Sequence, residues 1–151
     1  MDKIPFPRDR WSANSSKPGA IYHLIQKDLW DKVKADGGEY LPPTYSKDDV
    51  GYGPMIHATA VKDALLSVAN HFYTAVEGDW YCLELDCAKL EASERQVWWE
   101  PPTAVGNIEA YKSEDIDLFP HIYGGGLVTS HVVKELAVER DADGKFVGIG
   151  S

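Results

Sequence analysis

The run Phe119-Pro120-His121-Ile122-Tyr123, followed at once by Gly124, Gly125 and Gly126, constrains this chain more than any other stretch. Side chains on extended backbone alternate between faces, so Phe119, His121 and Tyr123 share one face and Pro120 and Ile122 the other. That sets an imidazole between two aromatic rings, just ahead of three glycines that no regular element tolerates together. His23 and His57 stand in short apolar runs of the same kind, and Glu100 ends a fourth. These runs read as neighbouring strands whose polar residues meet in one cleft.

A chain of 151 residues is one domain by the usual prior. With 44% hydrophobic and 26% charged residues it has the composition of an ordinary globular protein. No apolar run approaches the ~20 residues of a membrane span, and the opening MDKIPFPRDRWSANSSKPG lacks the apolar core of a signal peptide. Rich in Pro, Ser and charge, residues 1–19 read as a flexible extension and 20–151 as the single folded domain. The net charge of −9 disfavours nonspecific binding of nucleic acid, which relies on a basic surface, but leaves room for a small anionic ligand. Cys82 and Cys87 fall in or beside one expected strand. The extended chain between them spans roughly 16 Å, whereas a disulfide needs Cα atoms within about 7 Å. Two free thiols suggest a reducing, cytoplasmic setting.

Along the chain, residues 20–26 are expected as a strand with Ile21, His23 and Ile25 on one face. A short helix follows over 28–36, with Leu29, Trp30 and Val33 apolar and Gly37-Gly38 as its stop. Residues 39–54, with Tyr40, Tyr45 and Tyr52, form a loop and a candidate lid. After a strand at 55–58, Thr59 fits the N-cap of a helix reaching about Phe72, with Val61, Ala64, Leu65, Val68 and Phe72 at helical spacing. Residues 80–86 alternate as a half-buried strand, Tyr81, Leu83 and Leu85 on one face and Cys82, Glu84 and Asp86 on the other. Another strand covers 96–100, an acidic surface loop 103–117, and further strands 132–139 and 146–149 flank a turn at Asp141-Ala142-Asp143-Gly144. Strands outnumber the two early helices, which argues for α+β with a mixed, mostly antiparallel sheet.

One histidine on an apolar strand is commonly a satisfied core residue. His23, His57 and His121, each central in its own strand, instead point to convergent titratable groups in a shared site, because a buried imidazole needs a partner and titrates near neutrality. His71 and His131 read as a helix flank and a polar loop. Glu100 shares a face with Trp98 and either orients a hydroxyl, acts as a base, or caps a strand at the surface. Tyr123 is a stacking platform or a core tyrosine. The histidines lack the close local spacing of zinc motifs and no cysteine joins them, so no metal is expected. No G-x-S-x-G and no G-x-G-x-x-G occurs.

With these motifs placed, the chain resembles the small family called domain of unknown function 952. The resemblance runs from about Ala20 to the C-terminus, on IYHLI (21–25), Trp30, MIHAT (55–59), FY (72–73), LELD (83–86), WWE (98–100) and FPHIYG (119–124). Pro54-Met55 replaces the family's usual glycine and aromatic, and Thr59 its usual serine. The resemblance implies an ADP-ribosyltransferase-like fold, in which a first-strand His or Arg holds a ribose of NAD, a second-strand region packs by the nicotinamide, and a later Glu orients the 2′-hydroxyl or the acceptor. The order is similar to that of the RNA 2′-phosphotransferase branch. His23 matches its first-strand His and His57-Ala58-Thr59 its second-strand motif, with Glu100 in the third position. His121 and Tyr123 belong to this family's own pattern. The paired arginines that grip RNA in that branch have no equivalents, so tRNA is not carried over.

The implied function is an NAD-utilising ADP-ribosyltransferase acting on an unidentified acceptor. In it His23, His57, Glu100 and His121 are the catalytic candidates, and His23, Thr59, Trp98 and Tyr123 the cofactor-binding ones. Its ligand would be a small-molecule nucleotide, with no nucleic acid or membrane partner. The alternative is a binding module that keeps the same cleft to sense a nucleotide or other metabolite without turnover. A metal-dependent hydrolase is the third reading.

Overall fold

Antiparallel pairing of the apolar strands builds two sheets in place of the one expected. The computed structural model describes residues 19–41, 55–60, 62–100 and 119–150, with backbone alone at Met55, Trp99 and Glu100. The elements run β1 (Ala20–Gln26), α1 (Lys27–Asp36), β2 (Met55–His57), α2 (Ala64–Phe72), β3 (Trp80–Asp86), α3 (Cys87–Ala92), β4 (Gln96–Glu100) and β5 (Phe119–Tyr123). A 3₁₀ turn (Thr129–His131), β6 (Val132–Arg140) and β7 (Phe146–Ile149) complete the order. The first sheet has the order β1-β3-β6-β7 and the second β2-β5-β4, and every ladder in both is antiparallel. The α+β class holds on this architecture. The expectations at 1–18, at 42–54 with Tyr45 and Tyr52, at Val61 and at 103–117 lie outside the described residues.

Directly opposed residues of a ladder share a face. Ile56, Ile122 and Val97 therefore form one row across the second sheet. All three are buried in one cluster with Ile21, Ile25, Leu83 and Leu85 of the first sheet, together with Trp30, Leu90 and Leu127. This core joins the two sheets. A second cluster lies on the other face of the first sheet, where Leu24, Trp80, Cys82, Leu136 and Phe146 meet Leu65 and Ala69 of α2. β3 is central, and over its first half it is buried on both faces, at Trp80 and Cys82 as well as Leu83, whereas Glu84 and Asp86 stay partly exposed as the half-buried reading expects.

Helix α1 ends as its glycine predicts, with Gly37 in the left-handed region (φ 66°) and its N–H on the Val33 carbonyl. Its Trp30 indole donates to Glu135 Oε2 at 2.6 Å, and Lys34 pairs with the same carboxylate at 2.9 Å. Three local readings fail. Thr59 is not an N-cap: it exchanges two 2.8 Å backbone hydrogen bonds with Tyr22, and α2 begins later, at Ala64. A third helix, α3, forms where none was expected, started by the Asp86 carboxylate accepting from the N–H groups of Ala88 (2.9 Å) and Lys89 (3.3 Å). Tyr40 is not on an open loop but is buried, bonded through N–H and carbonyl to Leu127.

The glycines after β5 also find a reason. Gly124 needs φ +98°, and a Cβ on Gly126 would collide with the Tyr40 carbonyl oxygen. In chemical denaturation, Ile122→Ala is expected to cost about 2–5 kcal/mol through the cavity it leaves in the shared core. Gly126→Ala should cost about 1–3 kcal/mol through overpacking.

Candidate functional site

The two sheets meet where β1 passes β2, and the expected site residues gather at that seam. Tyr22 and Thr59 form the backbone bridge across it, and the Ala58 N–H donates to the Pro120 carbonyl at 3.1 Å. His23 follows Tyr22 on the inner face of β1, opposite Leu83, and only 7% of it is exposed. Its Nδ1 lies 2.6 Å from the His57 carbonyl oxygen. A carbonyl only accepts, so Nδ1 carries the proton. In the neutral ring Nε2 is then left as an acceptor. That nitrogen is buried and has no hydrogen-bond partner among the described residues. Burial pushes the His23 pKa down to about 4, against the opposing pull of the His57 carbonyl.

His57 stands opposite His121 in the β2–β5 ladder, and the two rings meet edge to face with centroids 5.1 Å apart. Burial, then the charges that His121 and His23 would carry, push the His57 pKa down to about 3. The same row continues to Trp98, opposite His121 on β4, and the next row on this face pairs Tyr123 with Gln96. His121, Trp98 and Tyr123 are all buried, and the Trp98 indole N–H reaches Gln96 Oε1 at 3.3 Å. Thr59 is buried too, with its hydroxyl unpartnered among the described residues.

The structure thus brings His23, His57, His121, Thr59, Trp98 and Tyr123 to the seam. His23 lies on the inner face with Ile21 and Ile25, but the His57–His121–Trp98 row lies on the face of the second sheet opposite its core row. His57 touches His23 through its carbonyl and His121 through its ring. Glu100 pairs through its backbone with Phe119 at the end of the same sheet, and its side chain lies outside the described residues. Sequence reasoning placed Tyr40 only in a candidate lid, not against His23: its ring lies 5.9 Å from that of His23, tilted by 50°. Nothing in the local pattern around Tyr40 signals this, because the contact depends on pairing with the distant Leu127.

His131 also departs from expectation, being 1% exposed and not part of a polar loop. Its Nδ1 accepts from the Val128 N–H at 3.1 Å, so Nε2–H donates to Ser93 Oγ, 2.8 Å away. The Ser93 hydroxyl in turn faces the Lys89 and Leu90 carbonyls. This pair is no nucleophile and base, since the imidazole keeps no lone pair to receive the serine proton. Burial, then the Arg95 charge, lower the His131 pKa. Neither Cys82 nor Cys87 is in a disulfide and both are buried, with burial pushing the Cys82 thiol up to about 12. Among the described residues no group of three or more His, Cys, Asp or Glu could hold a metal ion, and no helix is long and apolar enough to cross a membrane.

The family model described as Protein of unknown function (DUF952) matches residues 24–135. The fold is similar to the crystal structure of protein CC0527 from Caulobacter crescentus, at 23% identity and a TM-score of 0.56, over 85% of this chain and 93% of that one. It is equally similar to the crystal structure of a double mutant of that protein, at 22% identity and a TM-score of 0.56, over the same shares of each chain. No curated protein matches.

Both low histidine pKa values have a consequence for stability. The unfolded chain binds protons at His23 and His57 near pH 6.5 while the native state refuses them until about 4 and 3. Stability from these groups is therefore complete above pH 6.5 and lost as pH falls, by about 1.4 kcal/mol per pH unit for each imidazole. Urea unfolding at stepped pH is expected to show this slope, and His57→Gln to remove one imidazole's share of it.

Proposed function

From the premise that this chain belongs to the family described as Protein of unknown function (DUF952), we propose that it cleaves NAD and transfers ADP-ribose to an acceptor. The observation that carries this reading is the buried Nε2 of His23 at the seam of the sheets, without a partner among the described residues. An acceptor held out of water without a partner costs about 1–3 kcal/mol, a cost that a bound donor relieves. With Nδ1 committed to the His57 carbonyl, Nε2 calls for a hydroxyl or N–H donor, and a ribose presents hydroxyls. The Thr59 hydroxyl, buried on the strand beside it, offers a second polar contact.

In the proposed reaction the bond between nicotinamide and ribose breaks, and its electron pair leaves with the nicotinamide. The acceptor then attacks the ribose carbon and gives up a proton. The sugar passes through an oxocarbenium-like transition state, as in glycoside cleavage. Catalysis needs the ribose held still, an aromatic wall for the leaving group, a carboxylate near the developing positive charge, and a base. His23 supplies the first and Trp98 with Tyr123 the second. Glu100, by its position in the family's order of motifs, supplies the third. His121, in edge contact with the His57 ring, is the base for the acceptor's proton.

Incubation of the protein with NAD should release nicotinamide. His23→Ala is expected to abolish both the release and the stabilisation by NAD in a thermal-shift assay, whereas Glu100→Gln should remove turnover, on the order of a hundredfold, and leave binding intact. Stabilisation by NAD without any nicotinamide release would favour the nucleotide-binding module. Neither stabilisation nor release would overturn both.

A further inference from the structure

The three glycines after β5 and the tyrosine at position 40 have no part in that chemistry, yet they are built into one assembly that ends on His23. Tyr40 is tied through both its N–H (2.8 Å) and its carbonyl (2.9 Å) to Leu127, so its backbone forms a two-bond bridge beside the glycine run. Gly126 allows that approach, because a Cβ there would strike the Tyr40 carbonyl oxygen. Arg95 then locks the arrangement from outside. Its Nε (3.0 Å) and Nη2 (2.8 Å) both donate to the Gly126 carbonyl, and Nη2 also reaches Glu39 Oε2 at 2.6 Å, on the residue just before Tyr40. The clamp is anchored beside β4, since Arg95 Nη1 donates to the Ser93 carbonyl at 2.9 Å.

What this clamp holds is an aromatic ring against the His23 imidazole, centroids 5.9 Å apart. The hydrogen bond from Nδ1 to the His57 carbonyl dictates the tautomer and holds one edge of that imidazole. A contact on the ring itself keeps it from swinging off that bond, and with it holds the direction of the Nε2 lone pair. We propose that Tyr40 is a positioning residue that keeps the His23 imidazole seated on its bond to the His57 carbonyl, and so preserves the tautomer that bond dictates, held in place by the Gly126–Arg95–Glu39 clamp. Tyr40 acts through its ring, so phenylalanine substitutes for it. The consequence for ligand binding rests on the reading of His23 given above; the effect on His23 itself does not.

The test separates the two. Long-range proton–nitrogen NMR of the full chain reads the tautomer of each histidine. In the native protein His23 is expected as a neutral ring protonated on Nδ1, and Tyr40→Phe should leave that signature unchanged. Tyr40→Ala should mix the two tautomers and raise the midpoint of the His23 titration toward its ordinary value, as water reaches the ring. If Tyr40→Ala does not fold, Tyr40→Leu, which fills similar space without a planar ring, is read in the same way. Glu39→Gln, at a solvent-exposed side chain, should give a smaller shift in the same direction. With NAD as the probe, Tyr40→Ala should weaken binding on the order of tenfold, the scale of one misdirected hydrogen bond, and Tyr40→Phe should restore it. A His23 signature unaltered in Tyr40→Ala or Tyr40→Leu, or in Glu39→Gln, would overturn the proposal. Altered tautomers with no NAD binding by the native protein would uphold it and overturn the NAD reading instead.

Discussion

The hydrogen bond from His23 Nδ1 to the His57 carbonyl ties a side chain of one sheet to the backbone of the other. It crosses the seam beside the Tyr22–Thr59 bridge, where β1 of one sheet runs past β2 of the other. Its chemical effect follows from its direction. A carbonyl cannot donate, so the imidazole must commit its proton to structure, and the nitrogen that remains is an acceptor. The same bond that fastens the sheets therefore decides what kind of partner the site can take.

Desolvation strengthens that decision. His23 is buried and His57 half-buried, and desolvation keeps both neutral well below ordinary histidine pKa values. For His57 the charges that His121 and His23 would carry add to the effect of burial. A neutral ring can accept a hydrogen bond, which is the state a binding role at neutral pH requires. His131 makes the contrast: equally buried, it has both ring nitrogens engaged with Val128 and Ser93, and it serves as a structural tie between the turn before β6 and the end of α3. Burial does not distinguish His131 from His23: after its structural bond is made His23 keeps an acceptor with no partner among the described residues, and His131 does not.

Much of this was legible from the chain. Alternation marked the strands at His23, Leu83 and His121, because each has apolar residues at every second position and a turn or break at its end. Gly37 marked the end of α1, and Asp141 to Gly144 the turn before β7. Other features were hidden for specific reasons. Helix α3 is too short to show a 3.6-residue period, and only its cap at Asp86 betrays it. Thr59 has the right chemistry for an N-cap, but the backbone bonds to Tyr22 claimed it for the sheet junction. Long-range pairing overrode local preference there.

By itself the amino-acid sequence determined the strands, the faces on which His23, His57 and His121 lie, and the need for an unusual backbone after Tyr123. These are local properties, set by side-chain period and by the conformations glycine permits. Only the tertiary structure decided that the strands divide between two sheets, that His23 donates across the seam to β2, and that Tyr40 is seated against it by Gly126 and Arg95. Those contacts join residues far apart in the chain, and hydrogen-bond direction exists only once donor and acceptor have been brought face to face.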